Sequence, residues 1–216
     1  FGVALIGKLL VSEGYRVGII PQPSAEGDDI ARLGEPKLFW GVSSGCVDSM
    51  VSNYTPMKKK RMQDDLTPGG QNTRRPDRAL ISYTSLIRSR FKNTVPVVLG
   101  GIDASLRRIA HYDCWDNKVR RSALFDAKAD IIIYGMGERA LREVAERLEK
   151  GERISEIRDV AGTAVKEEVA RWKGREASSD ELEIPGFAQV SVDKREYARA
   201  FALHYQEQDP FHGRTV

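Results

Sequence analysis

Two glycine turns and one polar segment carry the residue types in this sequence best suited to chemistry. The first turn ends the apolar run Val97-Val98-Leu99 and continues as Gly100-Gly101-Ile102-Asp103-Ala104-Ser105. Paired glycines after a buried strand leave bare backbone at the carboxyl edge of a sheet, where open α/β folds bind ligands. The same residues also fit a tight strand-to-helix turn that holds nothing. The second turn is Tyr134-Gly135-Met136-Gly137-Glu138-Arg139. A helix starting there offers unpaired amides and a partial positive charge to an anion or polar group. Glu138, in the first turn, could instead answer that dipole itself. One Gly-x-Gly is a weak signal, but two glycine turns at successive strand ends of one sheet would border a single cleft.

Between the turns lies Arg107-Arg108-Ile109-Ala110-His111-Tyr112-Asp113-Cys114-Trp115-Asp116. As chemistry, His111 suits acid/base work or metal ligation, and the two arginines suit a carboxylate or phosphate. As structure, the segment is a polar turn held by ion pairs such as Arg108 to Asp113, with a structural or partner-facing role. One histidine and one cysteine fall short of the four ligands that structural zinc takes. The cleft candidates are therefore Gly100, Gly101, Asp103, Ser105, Arg107, Arg108, His111, Gly135, Gly137 and Glu138, with no residue assigned as catalytic or as a metal ligand. The sequence has no phosphate loop and no nucleophile elbow. Its two cysteines, Cys46 and Cys114, cannot make a three-cysteine cluster site.

The elements that must position these residues alternate between short apolar strands and amphipathic helices. Apolar spacings of three and four predict a helix over 1–13, with Gly14 as its cap. Strands are expected over 15–20, 37–42, 95–99 and 130–134, the first stopped by Pro21 and Pro23. A short helix is expected over 25–33, ended by Gly34, and Ser43-Ser44-Gly45 can start another with a hydroxyl cap. Residues 56–76 break the pattern with positive charge and Pro68-Gly69-Gly70, which marks a long loop outside the core. Helical periodicity resumes over 77–92 and again over 138–150, where Leu141, Val144, Ala145 and Leu148 share one face. This order predicts an α/β fold with an open, mostly parallel sheet covered by helices on both faces, Rossmann-like. Its first strand would lie upstream of Phe1. Residues 1–161 are expected to form that domain, and 162–216 a connecting region. Within the latter, 163–172 reads as a strand or hairpin arm, 177–183 as acidic surface and 192–204 as a helix.

Composition sets the outer limits. A hydrophobic fraction of 41% and a charged fraction of 30% fit a globular domain. No apolar run reaches the ~20 residues of a membrane span. The apolar start lacks a basic leader and a small-residue cleavage site, so no signal peptide is expected there. Few cysteines make a reducing, cytoplasmic setting the expectation. Net charge is +3, from 34 basic and 31 acidic side chains, too little by itself to argue for nucleic acid. The basic residues do cluster at Lys58-Lys59-Lys60-Arg61, at Arg74, Arg75 and Arg78, and around Arg107 and Arg108. Such runs are usually solvated faces; as a phosphate-binding surface they would make the chain a nucleic-acid-binding module. A stand-alone α/β domain with a small molecule at the sheet's carboxyl edge is a further alternative.

Taken together, the segments resemble the amino-terminal region of the YgiQ-type radical S-adenosylmethionine (SAM) proteins. The resemblance runs over nearly the whole chain, through Phe1-Gly2-Val3-Ala4, Tyr15-Arg16-Val17-Gly18, Leu38-Phe39-Trp40-Gly41-Val42, Asp48-Ser49-Met50 and Asn53-Tyr54-Thr55. It continues in Thr67-Pro68-Gly69-Gly70 and Arg75-Pro76-Asp77-Arg78-Ala79. Its strongest stretch is Val98-Leu99-Gly100-Gly101-Ile102 through Ser105-Leu106-Arg107-Arg108-Ile109-Ala110-His111-Tyr112-Asp113. The resemblance implies a cobalamin-domain-like α/β region, an accessory part joined to a downstream radical SAM barrel. There, three cysteines beyond Val216 would hold a [4Fe-4S] cluster whose open iron binds SAM and cleaves it reductively. Neither Cys46 nor Cys114 occupies a matching motif, so no cluster role passes to them. The Asp-x-His-x-x-Gly motif that gives cobalamin its lower axial histidine is not present, which leaves only base-off cobalamin binding open.

Overall fold

The computed structural model describes residues 1–172, 178–209 and 212–216. In chain order the elements are α1 (Gly2–Ser12), a 3-10 turn at Asp29–Ala31, β1 (Trp40–Ser43), α2 (Ser49–Asn53), α3 (Ala79–Arg90), β2 (Val97–Gly100) and α4 (Gly101–Leu106). They continue with β3 (His111–Asp113), β4 (Lys118–Arg120), α5 (Ala123–Asp126), β5 (Ile131–Ile133), α6 (Glu138–Glu149) and β6 (Thr163–Val165). Three helices follow: α7 (Val169–Trp172), α8 (Phe187–Val190) and α9 (Lys194–Gln206). The chain divides into two compact units, one of residues 1–108 and 123–166, the other of 109–122 and 167–216.

The first unit is built on a sheet of order β1-β2-β5-β6, in which β1, β2 and β5 run parallel and β6 is antiparallel to β5. Both faces of β2 and β5 are covered, which is why those two strands read as apolar runs. Val97, Leu99 and Ile132 face one core with Leu80, Tyr83 and Ile87 of α3 and Leu124 of α5. Val98, Ile131 and Ile133 face the opposite core with Leu141, Val144 and Ala145 of α6 and Leu10 of α1. Alternate residues of one strand thus serve opposite cores, as the two-residue period of a strand requires. The expected α/β class with helices on both faces of a mostly parallel sheet is what forms.

Several expected elements differ. Residues 15–20 form no strand: Tyr15 and Val17 are half-buried and their neighbours exposed, a strand-like alternation, but no ladder forms there. The half-buried side chains pack on the α6 side of the sheet, so burial is gained without strand pairing. The helix expected over 25–33 contracts to the 3-10 turn, with Ile30 as its buried residue. The strand over 37–42 starts only at Trp40. After β1 the cap of α2 is Asp48, whose carboxylate accepts from the amides of Met50 and Val51, and not a hydroxyl of the serine turn. Beyond β6 the residues 169–172 are helical.

The 56–76 segment is more than an excursion. Bridges pair Tyr54 with Lys60 and Gln63 with Gln71. Inside them, the Arg75 guanidinium lies 3.1 Å from the Asp64 carboxylate, with side chains 5% and 6% exposed. Asp64 also accepts from the Thr67 hydroxyl at 2.5 Å and the Leu66 amide at 3.0 Å. Burial works against its charged form, but those donors and Arg75 outweigh it and hold the carboxyl below the usual carboxylate range. A polar knot here takes the place of an apolar core. It leaves Arg75 Nη1 and the Asn53 and Asn72 amide oxygens buried without a protein partner.

In the second unit, β3 and β4 form an antiparallel hairpin that pairs His111 with Arg120. Asp113 Oδ1 accepts from the Trp115 amide and turns the hairpin, while Arg120 bonds Asp116. The Tyr197 hydroxyl of α9 accepts from the Tyr112 amide at 3.0 Å. Of the acidic stretch expected over 177–183, residue 177 lies outside the described residues and 178–183 are half to fully exposed.

Candidate functional site

Most of the cleft candidates meet at the carboxyl ends of β1, β2 and β5. Gly101 is the pivot where β2 turns into α4. Its φ of +85° is one that side chains rarely adopt, and a Cβ there would lie 2.7 Å from Ser43 Oγ at the end of β1. Gly137, with an ordinary φ of −81°, is required for space alone, since a Cβ would lie 2.7 Å from the Ile133 side chain. One hydroxyl ties the two glycine turns together. Ser105 Oγ donates to the Gly101 carbonyl at 2.9 Å and accepts from the Gly135 amide at 3.1 Å. A direct hydrogen bond therefore joins the two turns.

Behind the turns sits a charged cluster. Arg107, at the end of α4, forms ion pairs with both Asp103 and Asp48. Asp103 is buried, and its carboxylate also receives the Ser49 hydroxyl at 3.5 Å. Ser49 in turn accepts from the Ala79 amide at 3.0 Å, linking the cluster to the start of α3. Burial holds the Asp103 carboxyl above the usual range; Arg107 opposes this, the Asp48 carboxylate adds to it, and the Ser44 and Ser49 hydroxyls pull it down. Arg108 points elsewhere: its guanidinium carbon stands 4.6 Å from the centre of the Tyr134 ring, and its Nη1 donates to the Ser105 carbonyl at 2.6 Å. Burial lowers its pKa, which the Tyr134 hydroxyl partly offsets.

The segments that carry these residues also expose apolar side chains. Val47 and Val51 flank the start of α2, Ile102 and Leu106 lie on α4, and Met136 lies in the second turn at 89% exposure. His111 belongs to the second unit's hairpin, with Nδ1 3.3 Å from the Ile109 carbonyl, and is not counted with this cluster. Glu138 is half-buried in the first turn of α6. Asp48 and Ser49 have no place among the cleft candidates, although Asp-Ser before an apolar residue is a helix-start signature that marks them. Several arginines of the basic segments are committed inside the first unit. Arg61 Nε donates to the Tyr54 carbonyl, Arg74 lies 3.7 Å from Asp29, and Arg75 pairs with Asp64, while Lys58, Lys59 and Lys60 are exposed.

The family described as "Radical SAM N-terminal" matches residues 1–216. The chain belongs to the radical SAM N-terminal family. Its curated relatives are UPF0313 proteins. One from Methanocella arvoryzae is 50% identical over 100% of this chain and 35% of its own length. Another, from Thermotoga neapolitana, is 50% identical over 98% of the chain and 36% of its own length. A third, from Clostridium botulinum, is 48% identical over 100% of the chain and 33% of its own length. The chain thus spans about a third of the length of the relatives it matches. No solved structure matches it.

The donor set does not fit the cluster that the family name implies. Cys46 and Cys114 are both exposed, and they belong to different units. Among the described residues no group of three or more His, Cys, Asp or Glu side chains could hold a metal ion. All three histidines, His111, His204 and His212, fall in the second unit. Among the described residues no helix is long and apolar enough to cross a membrane.

Proposed function

We propose that this chain is the accessory domain of a radical SAM enzyme whose [4Fe-4S] cluster and SAM are held by another part of the same polypeptide. The observation that carries the reading is a family match over the whole chain combined with a donor set that cannot bind the cluster. The role of the first unit is then to present its strand-end surface to the reacting part. Ser105 and Arg107 keep the two glycine turns and α2 in fixed register, and the apolar residues Val47, Ile102, Leu106 and Met136 exclude water from whatever docks there. Substrate contact falls to the backbone of Gly100, Gly101, Gly135 and Gly137, with Asp103 and Arg107 positioning that backbone and Arg108 and Glu138 at its flanks. Nucleic-acid binding gains less support, because so many of its arginines already have internal partners.

The test uses full-length protein purified and reconstituted without oxygen, with assays for iron, sulfide and SAM-dependent 5′-deoxyadenosine. Cluster assembly and SAM cleavage that persist in the Cys46→Ser and Cys114→Ser variants are the expected result. Absence of a cluster from the full-length protein, or its loss in either variant, overturns the reading.

A further inference from the structure

Helix α9 is apolar on more sides than its own unit can use. Its inward side includes Ala200, which is buried, and Tyr197, whose hydroxyl accepts from the Tyr112 amide. A second stripe runs through Ala198, Phe201, Ala202 and Tyr205, all exposed. The spacing is i, i+3, i+4, i+7, the seam by which a helix packs on a neighbour. Phe201 and Tyr205 are 59% and 63% exposed, yet their rings stack at 6.0 Å between centroids with 23° between planes. The two rings thus present one continuous apolar plate. Val192, just before the helix, is 84% exposed as well. Among the described residues of the second unit, the buried apolar side chains are Val190 and Ala200. A unit with so little core gains stability chiefly from what covers it.

We propose that the Ala198–Phe201–Ala202–Tyr205 stripe of α9 is the docking seat for the radical SAM part of the same polypeptide. This rests on the reading that such a part exists, and the matched relatives are about three times as long as this chain. Area favours a tethered occupant over a second copy. Two aromatic side chains bury about 150–250 Å² each when fully covered, so the two rings, already partly covered, offer less than roughly 300–500 Å² between them. That is below the roughly 800 Å² per partner of a stable interface between separate molecules. A covalently linked partner meets the seat at an effective concentration of order millimolar, so a small apolar seat is enough.

The experiment uses unmodified full-length protein first. Hydroxyl-radical oxidation of Tyr205 is compared with that of Tyr112, a residue of the same type that is 51% exposed. Docking predicts Tyr205 oxidised several-fold more slowly than Tyr112; an equal or faster rate overturns the proposal. A benzophenone amino acid is then placed at position 201, with the exposed position 199, two residues away and so on another side of α9, as the control. The expected product is a cross-link within one polypeptide, from position 201 to a peptide outside residues 1–216, and little from position 199. Cross-links between two polypeptides would assign the seat to a second copy, and no position-specific cross-link would mean no seat; either overturns the proposal. SAM cleavage measured on the same preparation separates this outcome from the enzymatic reading. Cross-linking without SAM cleavage leaves the docking intact and removes the radical chemistry, and the reverse result removes only the docking.

Discussion

Replacing Arg107 with leucine removes the guanidinium that Asp48 and Asp103 share at the strand ends. The Asp103 side chain is 3% exposed, so its carboxylate would be left buried beside a second carboxylate with only hydroxyl donors. Breaking a buried pair by removing one partner costs about 3–5 kcal/mol. For a chain of this size each kcal/mol lowers Tm by roughly 2–4 °C, so the expected loss is roughly 6–20 °C at neutral pH. Asp48 keeps two helix-cap hydrogen bonds, from the Met50 and Val51 amides, and needs the guanidinium less. The double variant Arg107→Leu/Asp103→Asn should therefore recover most of the loss, giving a positive coupling of about 2 kcal/mol or more in a double-mutant cycle. The pH dependence has a definite sign. The folded-state pKa of Asp103 is raised, so the stability that its protonated form contributes is fully present below the unfolded value of about 3.9. That contribution is lost as pH rises through the folded value. Without Arg107 that folded value rises further, and the deficit of the single variant shrinks as the pH is lowered from neutrality. Thermal and urea unfolding across this pH range provide the assay. A deficit near the 1 kcal/mol of an exposed pair, or one that does not change with pH, would refute the picture of a desolvated Asp103.

Asp64→Asn should cost about 3 kcal/mol at neutral pH, because it strands the Arg75 guanidinium in the knot of the 56–76 segment. Since the folded pKa of Asp64 is lowered, its contribution is present above about 3.9 and is lost as pH falls through the lower folded value, so acid unfolding should be steeper in the parent than in the variant. Equal acid sensitivity in the two would contradict the burial of that pair. Gly101→Ala should lose about 1–3 kcal/mol through its positive φ, measured by urea unfolding. Adding Ser43→Ala relieves the contact with Ser43 Oγ but not the backbone strain, so only part of the loss should return; full recovery would show that the conformation is not strained.

The strands and helices around the glycine turns were legible because their sequences carry the pattern of what they bury. Val97-Val98-Leu99 and Ile131-Ile132-Ile133 are apolar throughout because both faces of the sheet are covered. The 138–150 periodicity survives as α6 because its inward residues all meet one core. Residues 15–20 misled for the same reason: an apolar run with alternating burial looks like a strand, but ladder bonds depend on a neighbour that local sequence does not specify. The 56–76 segment was unreadable because its stability comes from polar side chains, Asp64 and Arg75 above all, whose partners lie up to eleven residues apart.

By itself, then, the sequence determined the α/β class, the two glycine turns and the absence of a three-cysteine site, all of which follow from local periodicity, turn chemistry and residue counts. Only the tertiary structure decided that Ser105 joins the two turns, that Asp48 and Asp103 share Arg107, and that the stripe on α9 is left exposed. Each of these depends on which distant groups share a desolvated space. Charge pairing and apolar burial are properties of that space, and spacing along the chain does not encode them.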